Sequence, residues 1–305
     1  MSENLTLPAG GFGPRQLDYQ WYDAIRAELV RGRIAGAGRV LDVGCGCGGT
    51  LLGLAKRIEE GVGVDIDGNE IAHAERARKR RKVRNVRFEV ADAAELPFAA
   101  GSFDAVLLLG DVLTFAGLYG KHERVVSEVR RVLRTGGVAV HESTNWDWAY
   151  RNSPTRGVSF GRTGDGGFTM LRGRRSEAGL EVGREYRVRP DTRLHRWLAG
   201  QEWPRDDRAR LQMDEAAAIS QRDLEFVGLR RCRHYRGRDL IRLYRRAGFG
   251  EVRTVAYGQT YDIAVEAGLD EELWPDQREA LAKAEAAIVS RLSLGSGPWL
   301  FLTAR

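Results

Sequence analysis

Cysteine, lysine and long apolar runs are all scarce in this chain, and each scarcity removes a class of protein. Three cysteines, at 45, 47 and 232, stand in 305 residues, too few for a disulfide framework. Cys45 and Cys47 form a C-x-C pair without further ligands at zinc-finger spacing, so both read as small turn residues and no metal site is expected. No apolar run approaches the roughly 20 residues of a membrane span, and the first 30 residues lack a secretory signal profile. The expectation is a soluble, cytoplasmic protein with no membrane partner. Neither an internal repeat nor a low-complexity tract is present, and nothing in the sequence specifies an oligomeric state.

Lysine supplies 5 of the 48 basic residues, and the formal net charge is +6. The excess is local: residues 151–236 hold 19 arginines and no lysine against 12 acidic residues, while the rest of the chain is close to neutral. Charge placed in this way suits an anionic substrate, an acidic carrier protein or nucleic acid. Arginine dominates the basic residues of the whole chain, however, so compositional bias is the simpler account. The run Arg76-Ala-Arg-Lys-Arg-Arg-Lys82 continues a helix and lacks aromatic interleaving. It reads as a solvated face, and nucleic acid is not the expected partner.

What is present is a series of strands that end in glycine or acid. Val40-Leu-Asp-Val-Gly-Cys-Gly-Cys-Gly48 runs an apolar strand into a glycine turn, and Thr50 to Ile58 follows with Leu51, Leu54, Ala55 and Ile58 on one helical face. Strand, glycine turn and helix open a βαβ unit whose backbone can lie against a ligand. Gly44, Gly46 and Gly49 also satisfy G-x-G-x-x-G, so the glycines alone fit a nicotinamide dinucleotide almost as well as another nucleoside. A second strand ends at Asp65, 23 residues after Asp42, where a ribose-binding carboxylate emerges. Strand 86–90 leads to Asp92 and Ala93, and strand 103–109 ends at Leu109 and Gly110. In an open parallel sheet these carboxyl ends share one crevice.

Six segments, in order, carry a resemblance: Val-Leu-Asp-Val-Gly-Cys-Gly at 40–46, Gly-Val-Asp at 63–65, Ala-Asp-Ala-Ala-Glu-Leu-Pro-Phe at 91–98, Ser-Phe-Asp-Ala-Val at 102–106, Glu-Val-Arg-Arg-Val-Leu-Arg-Thr-Gly-Gly at 128–137, and Arg-Arg-Ala-Gly-Phe at 245–249. The chain resembles the class I S-adenosylmethionine-dependent methyltransferases of the small-molecule type. Thr135 stands where the family usually has proline. The resemblance implies a Rossmann-like, doubly wound α/β fold with a mostly parallel seven-stranded sheet, and S-adenosyl-L-methionine as cofactor, with S-adenosyl-L-homocysteine as product. It places Gly44, Cys45, Gly46 and Gly48 along the methionine and ribose, Asp42 at the methionine end and Asp65 on the ribose hydroxyls. Ile66 would cover the adenine, Asp92 would accept from its amine, and Ala93, Leu109 and Gly110 would complete the contacts. In such enzymes an N-terminal helix often folds over the cofactor, so Tyr22, beside the stripe Leu17, Trp21, Ile25 and Leu29, is a further candidate.

The expected organisation is a flexible N-terminal segment and lid helix (1–36), a cofactor-binding core (37–150), a substrate-capping insert (151–236) and a return of the core (237–305). The insert reads as mixed and partly antiparallel, with strands at 168–172, 180–188 and 224–234 and a helix over 207–221. Strand 138–142 ends at His141 and Glu142, which alternation sends to opposite faces; His141 is the first candidate for a base, Glu142 the second. Trp146, Trp148 and Tyr150, with His234, are candidate walls for a small-molecule acceptor, anionic or aromatic in character; packing of the insert explains the three rings equally well. Transfer to N or O is expected before C, in secondary metabolism. The alternatives are an RNA or protein methyltransferase using the arginine-rich insert, and a cofactor-bound fold with no chemistry or another one.

Overall fold

Strands β1 (Arg39–Val43), β2 (Glu60–Asp65) and β4 (Phe103–Leu108) are apolar along most of their length and buried on both faces, the signature of parallel strands with helices on either side. The computed structural model describes residues 18–118, 120–147, 156–163, 166–175, 180–201, 211–213, 219–258, 260, 274–291, 297 and 299–305. They fall into two units: residues 1–145 with 237–305 form one, and Trp146–Arg236 the other.

In the first unit, β3 (Val86–Val90), β2, β1, β4 and β5 (Leu133–Thr144) are parallel neighbours in that order. The sheet continues to β12 (Trp299–Ala304), antiparallel to β5, and β11 (Val252–Tyr257), antiparallel to β12. Strand order reverses between β1 and β4, which opens a crevice outside their carboxyl ends. One face packs Val138, Val140, Tyr257 and Phe301 against Ile25 and Leu29 of α1 (Asp18–Arg33) and Ala282, Ala286 and Val289 of α8 (Pro275–Arg291). Helix α5 (His122–Val132) buries Val125, Val126, Val129 and Val132, and α7 (Gly237–Arg246) buries Leu240, Leu243 and Tyr244. Each set follows the 3.6-residue period of a helix lying on a sheet. The expected helix from Thr50 divides into α2 (Gly49–Leu54) and a 3-10 turn, Ala55–Arg57. Helix α3 (Gly68–Arg80) is capped by the Asp67 carboxylate, which accepts from the Asn69 amide at 2.8 Å; α4 (Val112–Leu118) follows β4.

The second unit is an antiparallel sheet of five strands: β9 (Leu211–Met213), β6 (Arg156–Arg162), β7 (Phe168–Arg175), β8 (Leu180–Val188) and β10 (Leu224–Arg233), in that spatial order. Alternation puts Val158 and Phe160, Phe168 and Met170, and Tyr186 and Val188 into one apolar cluster with Leu198 and Leu224. Leu198 belongs to α6 (Arg193–Ala199), whose first turn is capped by Thr192 Oγ1 accepting from the His195 amide at 3.1 Å. Two sequence expectations change here. Strand β6 was not anticipated. The helix expected over 207–221 gives way at Leu211–Met213 to β9, which pairs with Val158–Phe160 of β6; residues 207–210 and 214–218 lie outside the described residues. So does the segment 1–14, expected to be flexible. Among the described residues no helix is long and apolar enough to cross a membrane.

Candidate functional site

The turn after β1 is bent by three glycines with positive φ: Gly44 at 71°, Gly46 at 50° and Gly48 at 78°. It is anchored to β2 by the amides of Gly44 and Cys45, which donate to the Val64 carbonyl at 2.8 and 3.0 Å. Gly48 has no room for a side chain, since a Cβ there would stand 2.4 Å from the Phe88 ring. Gly46 and Gly110 differ: a Cβ on Gly46 would meet nothing closer than Glu70 at 3.9 Å, and one on Gly110 would meet nothing within 4 Å. Both therefore present bare backbone to open space at the carboxyl edge, a surface a ligand can approach closely.

Two backbone amides fix Asp65 at the end of β2. Gly46 donates to Oδ2 at 2.9 Å and Asp67 to Oδ1 at 3.0 Å. A carboxylate has about four acceptor positions, so each oxygen keeps capacity for a further donor, the need of two adjacent hydroxyls. Ile66 follows, 63% exposed, and Val90 at the end of β3 is 58% exposed. These are apolar side chains in solvent beside a carboxylate, a combination that suits a planar ring. Val90 was not singled out from the sequence, where it read as an ordinary strand residue. Asp92 accepts from the Ala94 amide at 2.9 Å and from Lys121 Nζ at 2.7 Å. The Lys121 hydrogen bond, helped by that amide, holds its carboxyl below the ordinary value. Lys121 too went unnoticed, 29 residues away on another element.

Asp42 is 2% exposed. Burial raises its pKa to about 7; the charge of Arg26 opposes the rise and that of Asp65 adds to it. Burial, reinforced by Asp42 and Asp65, also pushes the Cys45 thiol up, so it is a neutral small side chain. At the end of β4, Leu109 is buried and Gly110 and Asp111 both have positive φ, 71° and 66°. The Asp111 carboxylate accepts from the Thr144 amide and hydroxyl, both at 2.8 Å, and from the Thr114 hydroxyl at 3.0 Å. These bonds tie the end of β4 to the end of β5.

Alternation on β5 separates the two candidate bases as expected. Glu142, 1% exposed, accepts from the Gly110 amide at 2.9 Å, from Arg26 Nη1 at 3.4 Å and from the Tyr257 hydroxyl. Burial, reinforced by the charge of Glu142, keeps Tyr257 protonated. Arg26, in turn paired with Asp23, is depressed by burial, but the charges of Glu142 and Asp23 more than offset that and hold it above its ordinary value. His141 faces the other way, fully enclosed, with Nδ1 3.1 Å from the Tyr244 hydroxyl. Burial lowers its pKa to about 3, so it is a neutral core histidine. A base must reach its acceptor, and this placement gives His141 no access to the crevice; the expected role does not follow from the geometry.

In the second unit Trp146 is buried and stacked on His234, ring centroids 4.9 Å apart and planes at 6°, and its amide donates to the Tyr235 carbonyl at 3.3 Å. The pair reads as packing. Trp148, Tyr150 and the side chain of Tyr22 lie outside the described residues, and Ala93 is half-buried in the turn after β3.

Residues 40–137 match the family model described as a methyltransferase domain. The fatty-acid O-methyltransferase of Mycolicibacterium smegmatis is 32% identical over 130 residues, 40% of this chain and 45% of that protein. The ubiquinone/menaquinone biosynthesis C-methyltransferase UbiE of Sinorhizobium fredii is 38% identical over 125 residues, 38% of this chain and 45% of that one. The match thus spans less than half the length of either relative. Among solved structures, an S-adenosylmethionine-dependent methyltransferase from Clostridium acetobutylicum superimposes with a TM-score of 0.58 at 13% identity, covering 94% of this chain and 91% of that one, a likeness of fold. Sheet order, glycine turn and family match agree: residues 40–137 match a methyltransferase domain, set in a sheet that shares the fold of that S-adenosylmethionine-dependent methyltransferase.

Proposed function

We propose that this protein transfers a methyl group from S-adenosyl-L-methionine to a small-molecule acceptor, at nitrogen or oxygen, in secondary metabolism. The observation that carries the reading is the carboxyl edge, where open backbone at Gly46 and Gly110 lies with the acceptor capacity of Asp65, the buried Asp42 and the exposed Ile66 and Val90. These residues fit the cofactor. Asp65 would take the ribose hydroxyls, Ile66 and Val90 would cover the adenine, Asp92 would accept from its amine, and Asp42 would face the methionine ammonium. The bound cofactor supplies an activated methyl on a sulfonium.

The protein's part is to orient and enclose. At the described edge His141 is enclosed and Glu142 is engaged by three donors, which favours an acceptor that is nucleophilic without a dedicated base: an amine, or an oxygen already ionised. Both relatives are named for small acceptors, one methylated at oxygen and one at carbon, so the small-molecule class has more support than the atom. Trp148, Tyr150 and the arginines of 151–236 remain the candidates for holding an aromatic or anionic acceptor.

The test is calorimetric titration with S-adenosylhomocysteine and with NAD, for wild type and Asp65→Ala. Hydrogen bonds to a charged group contribute about 1.5–3 kcal/mol each. Asp65→Ala should therefore weaken S-adenosylhomocysteine at least tenfold. Binding of NAD alone, or of neither, refutes the proposal.

A further inference from the structure

Arg26 belongs to α1, yet it reaches a strand 116 residues away. Nη2 pairs with Asp23 within the helix, and Nη1 lies 3.4 Å from Glu142 Oε2. The same oxygen accepts the Gly110 amide at 2.9 Å, while Oε1 accepts the Tyr257 hydroxyl. A carboxylate this enclosed requires an opposite charge beside it, and Arg26 provides that charge from an element outside the sheet. Next along the backbone, Asp111 holds a positive φ of 66° without being glycine. A conformation of this kind persists when its surroundings over-determine it. Here the Gly110 amide is held by the Glu142 side chain and the Asp111 carboxylate by Thr144.

We infer that Arg26 is a positioning residue which, through Glu142 and the Gly110 amide, couples the seating of α1 to the shape of the edge where the cofactor binds. The inference rests on the proposed function for its cofactor, but the coupling itself is a property of the free protein. It also has an electrostatic side. The titratable and charged groups around this edge are Asp23 and Arg26 on α1, Asp42 at β1, Cys45 in the turn, Asp65 at β2, Asp111 after β4, Glu142 on β5 and Tyr257 on β11. Burial keeps Cys45 and Tyr257 neutral, so among these described groups Arg26 is the cation beside five carboxyl groups, Lys121 being paired with Asp92 after β3. Its charge favours the ionised form of Asp42 against burial and Asp65. With α1 unseated, Glu142 loses its counter-charge, the Gly110 turn loosens, and Asp42 binds its proton more tightly.

Two readouts test this in Arg26→Gln and Arg26→Lys. Amide hydrogen exchange over residues 108–113, without ligand, is expected to speed at least tenfold in R26Q, with β2 and β3 unchanged. R26K keeps the charge but has a point donor in place of a fork, and should fall between R26Q and wild type. If R26Q does not fold, R26K decides: exchange at 108–113 equal to wild type overturns the coupling. The second readout is S-adenosylhomocysteine affinity from pH 6 to 9, whose rise with pH should shift upward in R26Q and return toward wild type in R26K. A loss of packing alone would weaken binding without moving that profile, and an unmoved profile with unchanged exchange overturns the inference. Failure of wild type to bind S-adenosylhomocysteine would remove the proposed function, while the exchange comparison would still decide the coupling.

Discussion

Replacing Asp42 by asparagine should stabilise this protein and at the same time weaken its grip on the cofactor. The carboxyl is buried at the end of β1, and its pKa of about 7 stands against an ordinary value of 3.8. Below pH 4 it is protonated in both folded and unfolded chains and contributes nothing. Between pH 4 and 7 the unfolded chain ionises it while the folded chain holds the proton, so wild-type stability falls as pH rises. Above pH 7 both states are ionised and the cost is constant. At about 1.4 kcal/mol per pH unit the full cost is on the order of 4 kcal/mol. Asparagine does not ionise, so the variant escapes that cost, with a pH-independent offset for whatever its amide fails to hydrogen-bond. The assay is urea unfolding of both proteins from pH 4.5 to 9, repeated by amide exchange of the β1 segment so that the first unit is read by itself. The stability difference should move in favour of asparagine as pH rises toward 7 and then level off, while S-adenosylhomocysteine binding at pH 8 falls. A difference that stays flat between pH 5 and 8 would refute the reasoning.

Other variants probe other parts of the edge. Gly48→Ala combines a left-handed backbone with a Cβ 2.4 Å from the Phe88 ring and should cost about 2–5 kcal/mol; Phe88→Leu in the same chain should recover part of it, both read by urea unfolding. His141→Gln should leave S-adenosylhomocysteine affinity at pH 7.5 within about twofold of wild type while lowering stability by about 1–3 kcal/mol. Because folded His141 stays neutral down to about pH 3, its own contribution to wild-type stability is lost as pH falls from about 6.5, against the opposite trend of Asp42. The glutamine variant lacks that loss, so its urea midpoint should rise relative to that of wild type between pH 7.5 and 5.

The core of the first unit was legible because its signals are local. An apolar run, a glycine turn and a helical stripe lie within twenty residues of one another at β1 and α2, and the acids at 65 and 92 close their own strands. What escaped depends on partners far along the chain. Arg26 sits one residue from Ile25, on a helix read for its apolar stripe, and its contact with Glu142 spans 116 residues. Val90 is exposed because it closes β3 at the carboxyl edge, while Val86 and Phe88 on the same face of the strand are buried, a difference absent from its own neighbourhood. Period 2 told that His141 and Glu142 part company, but that both faces are closed is decided by Tyr244 on α7 and Tyr257 on β11. In the second unit, the glycines at 157 and 161 lower the strand propensity of Arg156–Arg162 and leave its alternation to Val158 and Phe160 alone, and three residues of β9 are too short to carry any period.

The hydrogen bond from Asn145 Nδ2 to the Gly297 carbonyl, 2.8 Å long, joins residues 152 apart, as β12 joins β5. Contacts so distant in sequence are costly to close and slow to form. During synthesis, β1 to β5 can assemble in order, after which β6 to β8 can pair as adjacent hairpins. All that time the outer side of β5 waits for residues 299–304 as an uncovered template for stray pairing. A chain stopped after residue 236 should hold a finished second unit beside an unfinished first one, and should aggregate through β5.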